Sequence, residues 1–401
     1  MKVDFNKLTK RTFDLTRRLI EKIGPREAGS KASRSCADEL FSEMDEFCDQ
    51  TEKQEFGVHT GAFLGWIKIL VAFYVVSVIL LLLDMAWLAS GLLLVGILIM
   101  VFQFFLYKHT IDFLYQKKTG INVMGVIEPE GEVKRQIIIS GHHDTAHVFN
   151  FFIHQPKLYG LRVMGGIGIF CGVFLFSAIF AVFSVPSVFV YVLGLVASLG
   201  MSIVVQLWFF AGKKCTPGAG DNLISSVMAV ESMRQFSELK KSGAGLKNTR
   251  VMAVSFDGEE EGLRGAHAFA KQRKEMLQSV PTYLYNVDCP YLLKDMFFLT
   301  SDINASIQLD EDFAKMCASS ARKFGYEAKT KPIAFLTGGT DAGELAKIGV
   351  KATTMMAMPW DNSERASVYH TPMDTIDAVD ENTIKASMQI FFDVVKSLDE
   401  V

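Results

Sequence analysis

The sequence predicts an α/β domain, a mixed and mostly parallel sheet covered by helices on both faces, interrupted by four transmembrane helices in two hairpins. Two blocks of nearly unbroken apolar sequence are long enough to cross a bilayer twice each. Outside them, short apolar runs of strand type alternate with amphipathic stretches of helical spacing. Residues able to bind metal gather at the ends of those strand-like runs, where open α/β sheets place their chemistry.

The elements follow in chain order. "MKVDFNKLTKRTFDLTRRLIEKIG" lacks the continuous apolar core of a signal peptide and predicts an amphipathic helix from Asp4 to Ile23. A second helix is expected over Lys31 to Phe47, then a strand near "EKQEF". Gly61 to Leu83, with Lys68 as its one charge, and Met85 to Tyr107 form the first hairpin (residues 61–107). Lys68 lies near one end, where its stem can carry the ammonium to the interface. Strands follow at "INVMGVIEP" and "RQIIIS". The second hairpin (161–211) runs from Leu161 to Ser184 and from Val185 to Ala211. Beyond it come a helix from Asp221 to Leu239, a strand at "NTRVMAVSF" and a helix from Leu263 to Gln272. Strands at "TYLYNVD", "MFFLT" and "KATTMMA" and helices over Glu311 to Phe324 and Asp380 to Leu398 complete the chain. Residues 1–60, 108–160 and 212–401 are thus expected to make one discontinuous polar domain.

Because both insertions are hairpins, all the polar blocks lie on one side. Lys108, His109, Lys117, Lys118, Lys157, Arg162, Lys213 and Lys214 flank the helices there, against only Asp84 and "SVPS" at the far turns. The excess of cations marks the polar side as cytoplasmic. A formal charge of −3 argues against nucleic acid as a partner, and the bilayer is one. Six scattered cysteines with no Cys-x-x-Cys pair suggest neither a disulfide framework nor a thiolate metal site.

Single motifs are weak. "GHHD" sets His142 and Asp144 at a strand end, where a plain hydrogen bond is the commoner role. "PGAGDN" puts Asp221 where a helix N-cap would stand. "DGEEEG" is either a solvated turn or carboxylates crowded around a cation. "NVD" ends a strand with Asp288, and "VYHTPMDT" carries His370. Together they supply imidazoles and carboxylates without thiolates, the donor set of a two-metal hydrolase. The run Glu259, Glu260 and Glu261 can provide a ligand and a general base at adjacent positions.

In this order the motifs resemble the M28 family of zinc aminopeptidases. "IGPREAGS", "NVMGVIEPEG…IIISGHHDT", "PGAGDN", "EEEGLRGA", "NVD", "GGTDAGELAKIGV" and "YHTPMDT" carry the resemblance, which covers nearly all the chain outside the hairpins. It implies a zinc-peptidase-like fold and a membrane-bound di-zinc aminopeptidase acting on peptides. His142 and Asp288 would bind one zinc, Glu260 and His370 the other, and Asp221 both; manganese or cobalt suits the same ligands. Glu259 would be the general base, with Asp144 orienting His142. His143, His147, His267, Glu261 and Cys289 are left as structural residues.

The sequence departs from the family where Gly220 replaces a common Asp, where Glu261 replaces an apolar residue, and where "NVD" runs into Cys289 and Pro290. The hairpins are the largest departure, and the second is spliced between His142 and Asp221. The centre is therefore expected beside the membrane surface, favouring hydrophobic or membrane-attached peptides. Residues 148–160 are a candidate interfacial lip, or else an amphipathic linker. Alternatives are a single-zinc enzyme like the glutaminyl cyclases of this fold, a non-catalytic receptor, and a transporter. The intact ligand set disfavours the first two, and the scarcity of ionisable residues within the helices disfavours the last.

Overall fold

The computed structural model describes residues 3–334, 336–359, 362–365 and 367–400. Eight strands form one sheet: β1 (Gln50–His59), β2 (Lys117–Ile127), β3 (Arg135–His142), β4 (Thr249–Phe256), β5 (Thr282–Asp288), β6 (Met296–Leu299), β7 (Lys329–Lys331) and β8 (Lys351–Ala357). Their spatial order is β1-β2-β4-β3-β5-β8-β6-β7. The central run β4-β3-β5-β8 is parallel, and β1, β2 and β6 run antiparallel to their inner neighbours. Strands β3 and β4 are buried almost throughout because helices cover both faces, which explains their continuous apolar character.

The covering helices include α1 (Phe5–Ile23), α2 (Lys31–Asp45), α7 (Ile224–Lys241), α8 (Arg264–Gln272), α9 (Glu311–Lys323), α10 (Asp341–Ala346) and α11 (Glu381–Asp399). Asp4 caps α1 through the backbone N–H groups of Asn6 and Lys7, and Asp310 caps α9 through Phe313. The helix expected from Asp221 begins three residues later, at Ile224. Asp221 instead sits in a kinked turn with extended dihedrals (φ −122°, ψ 80°), which aims its carboxylate across the sheet edge.

Four further helices, α3 (Ala62–Leu82), α4 (Ala86–Met100), α5 (Tyr159–Phe183) and α6 (Ser187–Val204), pack as a separate apolar cluster. With their short continuations they are long and apolar enough to span a membrane. Leu98, Leu175, Phe176, Val196 and Leu199 stand exposed on them, large apolar side chains without cover in the protein. The hairpin turns meet through a hydrogen bond from Ser187 Oγ to Asp84, so both hairpins point the same way. Several polar groups in this cluster are satisfied, whereas Trp66 Nε1 is buried without a partner. The Tyr74 hydroxyl donates to Ala197 O, and Gln206 accepts from Arg162 Nε. Gln103 donates to Ala62 O and accepts from Thr110 N–H, tying the end of α4 to the loop that leaves it.

Candidate metal centre

The parallel strands end on one edge, and the centre is built there. His142 is the last residue of β3, Asp288 the last of β5, and the glutamate run follows β4 by way of Asp257 and Gly258. Asp221 enters from the kinked turn before α7, and His370 from a loop near the chain's end. The Asp221 carboxylate lies between the two imidazoles: Oδ1 is 3.2 Å from His142 Nε2 and Oδ2 is 3.1 Å from His370 Nε2. Glu260 Oε1 is 3.5 Å from His370 Nε2, and Glu259 Oε2 is 3.8 Å from His142 Nε2. Donor atoms of His142, Asp221 and Asp288 all lie within 4.8 Å of one another, as do those of Asp221, Glu260 and His370. A third such group joins His142 to both Glu259 and Glu260, so the base candidate stands at the same positions.

Asp144 accounts for the glutamate turn. Its Oδ1 accepts the Glu259 N–H at 3.2 Å, its Oδ2 accepts the Glu260 N–H at 3.1 Å, and Oδ1 also lies 3.3 Å from His142 Nδ1. One buried carboxylate therefore orients an imidazole and the two glutamates together.

The electrostatics fit a cation. Both ring nitrogens of His142 and His370, together with Asp221 Oδ2 and Glu260 Oε1, are buried without a satisfactory hydrogen bond. Burial opposes charging of His142, yet Glu259, Asp144 and Asp221 outweigh it and push the imidazole well above its ordinary pKa. Burial, reinforced by Glu260, Asp288 and Asp341 against His142, lifts Glu259 well above the carboxylate range. Burial likewise raises Asp288 to about 7. Carboxylates outnumber imidazoles here, and divalent ions would stabilise them ionised. The donor set is nitrogen and oxygen, which suits zinc.

The residues left as structural have ordinary partners. His143 bonds Ser255 Oγ through Nδ1 at 2.8 Å, and burial lowers it to about 3. His147 pairs with Glu27 at 3.5 Å and His267 with Glu344 at 3.0 Å. Glu261 accepts the Gly61 N–H, so it fastens the start of α3 to the edge of the centre. Gly220 has a steric reason: a Cβ there would lie 2.2 Å from Tyr291 Cε1, in the buried core. The lip expected at 148–160 is mixed: Ile153, His154, Gln155, Lys157 and Leu158 are exposed. Phe151 and Phe152 are buried, and the segment begins as a two-stranded ribbon in which His147–Phe149 pairs with Ala211–Cys215. Phe149 donates its N–H to His370 O at 2.9 Å and sets its ring edge-on to that imidazole. The stalk of the second hairpin thus packs directly on a candidate ligand.

Five residues escaped the sequence reading. Arg26, wholly buried, donates to the carbonyls of His143, Gly218 and Pro217, which locks "IGPREAGS" against two of the motif loops. Gly218 is required beside it, since its φ is +65° and a Cβ would strike Thr145 Cγ2 at 2.2 Å. Asp374 accepts the N–H groups of Gly220 and Asp221. Asp341 buries both carboxylate oxygens unbonded, and its charge is felt at His142 and Asp288. Tyr107, the last residue of the first hairpin, is buried among Phe63, Leu263 and Ile303. The "GGTDAGEL" and "YHTPMDT" stretches were the available signals for the two aspartates; nothing in the sequence pointed to Tyr107.

A sheet edge that collects two histidines and five or more carboxylates defines a zinc-dependent enzyme of peptidase fold. Residues 199–395, just under half of the chain, match the model of peptidase family M28, a span that holds Asp221, Glu259, Glu260, Asp288 and His370. Its fold is shared by a Zn-dependent exopeptidase from Parabacteroides distasonis (16% identity, TM-score 0.58, covering 98% of this chain and 99% of that one). A glutaminyl cyclase of Bacteroides thetaiotaomicron bound to N-acetylhistamine is similar too (12%, 0.58, 96% and 97%). So is a leucine aminopeptidase precursor from the same organism (13%, 0.57, 96% and 96%). No curated protein matches the sequence significantly.

Proposed function

We propose that this protein is a membrane-embedded di-zinc aminopeptidase. The observation that carries it is Asp221, whose two oxygens face His142 and His370 from opposite sides at hydrogen-bond-like distances. His142 and Asp288 would hold one zinc, Glu260 and His370 the other, and Asp221 both. Zinc bound there would supply Lewis-acid polarisation of a carbonyl and a water acidic enough to react near neutral pH. Glu259 receives the proton of the attacking water at its carboxylate and returns it to the departing nitrogen. Burial keeps that carboxylate basic, and Asp144 fixes the turn that carries it. Residues 1–60, 108–160 and 212–401 form the peptidase on the cytoplasmic face, by the basic flanks of the hairpins. Hydrophobic or membrane-attached peptides would reach the centre more often than soluble ones, because the bilayer concentrates them.

Metal analysis of the detergent-purified protein tests this reading. Two zinc ions per chain are expected, and a single tight zinc unaffected by Asp221→Asn would refute it in favour of a cyclase-like centre. Glu259→Gln should abolish aminopeptidase turnover with metal content near normal, whereas Glu260→Gln should weaken metal binding. The reverse pattern would exchange the two roles.

A further inference from the structure

From Glu259, Glu260 and His370 a cleft runs not to bulk solvent alone but in among the membrane helices. Its far walls are Phe63, Trp66 and Ile67 of α3, Val163 and Ile167 of α5, and Leu207. Its cavity volume is about 130 Å³. Along these far walls the one polar side-chain atom is Trp66 Nε1, which is buried without a partner; the rest are aliphatic or phenyl groups that suit a hydrocarbon chain better than a peptide backbone. One cation stands near the reacting end. Arg365 is 4% exposed, its guanidinium lies 5.4 Å from the Tyr369 ring and 5.6 Å from that of Phe152, and its Nε makes no hydrogen bond. Among the described residues lining the cleft, the only carboxylates are Glu259 and Glu260, both already part of the centre. A peptide's ammonium therefore finds no separate counter-ion, whereas a substrate carboxylate finds Arg365.

We propose that the same centre also hydrolyses long-chain N-acyl amino acids. The acyl chain lies between α3 and α5, the amide stands at Glu259, and the amino-acid carboxylate meets Arg365. Water adds its oxygen to the acyl carbon and the C–N bond breaks. Glu259 takes one proton from the water and delivers it to the nitrogen; the second proton, left on the new carboxylic acid, passes to the amine, and the products are a fatty carboxylate and a free amino acid. This activity rests on the metal ligands and Glu259 acting as proposed above, but not on a free N-terminus.

The test is a series of N-acyl glycines from acetyl to palmitoyl, offered to the zinc-loaded protein in nanodiscs beside an aminoacyl amide. If methylenes enter the apolar cleft, kcat/KM should rise by up to about fourfold for each one over the first several carbons. Replacing the glycine carboxylate by a neutral amide should lower it at least tenfold. Val163→Trp, which fills the chain's path, should cut the ratio of long- to short-chain rates at least tenfold. Independently of turnover, a brominated-acyl glycine should quench Glu259→Gln protein saturably through Trp66, and Trp66→Phe should abolish that saturable component. A flat chain-length series with an active aminoacyl amide would overturn this proposal alone. Loss of all amide hydrolysis would count against the metallohydrolase reading as well. Quenching that never saturates would show a chain dissolved in lipid and not held in the cleft, and would also overturn it.

Discussion

Asp144 is the residue through which the centre is most open to a single-atom perturbation. In Asp144→Asn the shape is kept, but one oxygen becomes an NH₂ group. The carboxylate now accepts the N–H of Glu259 with one oxygen and of Glu260 with the other, at 3.2 and 3.1 Å, and faces His142 Nδ1 at 3.3 Å. Whichever way the amide turns, one backbone N–H meets a donor, at a side chain that is itself fully buried. An unmade buried hydrogen bond costs about 1–3 kcal/mol, equivalent to roughly 5- to 150-fold in an equilibrium constant. Loss of the carboxylate partner of a ligating histidine typically costs about 10–100-fold in metal affinity or activity, and the two ranges overlap. A tenfold to hundredfold weaker zinc affinity is therefore expected in a competition titration against a chelator, with a parallel fall in kcat/KM. Circular dichroism of the apo-protein should change little. Zinc affinity within twofold of wild type would refute the role given to Asp144 here.

Three further outcomes can be checked. Gly220→Asp, which restores the residue common in the family, should destabilise the protein and lower zinc affinity, because its Cβ would press on Tyr291; adding Tyr291→Ala should recover part of the loss in both thermal melting and metal titration. For topology, Cys317 is fully buried and cannot report. Ser242→Cys is exposed instead, and in a background without Cys48, Cys171 and Cys215 it should resist an impermeant thiol reagent until cells are permeabilised; labelling of intact cells would place the peptidase outside. Hydrogen bonding to His147, against partial burial and with help from Lys118, holds Glu27 down at about 2 from an ordinary 4.5. A depressed carboxyl stabilises the fold fully above its unfolded value and loses that contribution as pH falls, so the stability gap between wild type and Glu27→Gln should close between about pH 4.5 and 2. A gap constant over that window would remove Glu27 from the base of the ribbon.

Run length and periodicity determine a large part of this molecule from the sequence alone. A bilayer of fixed thickness demands about twenty apolar residues, so α3 to α6 were legible as continuous runs. Strands β3, β4, β5 and β8 were legible because burial on both faces leaves them uniformly apolar. The ligand candidates stood out because each follows such a strand or a glycine-rich turn in an order that resembles one family. Nothing local in the sequence shows which residue faces which. Asp221 read as a helix cap until the turn before Ile224 was seen to be kinked. The ribbon pairing His147–Phe149 with Ala211–Cys215 joins segments separated by the whole second hairpin, and only that pairing presses Phe149 on His370. The cleft is of the same kind, formed by α3, α5 and the glutamate turn, three segments whose apolar or acidic character is equally compatible with facing lipid, water or one another. Composition decides what a segment must be hidden from; only packing decides what it is hidden against.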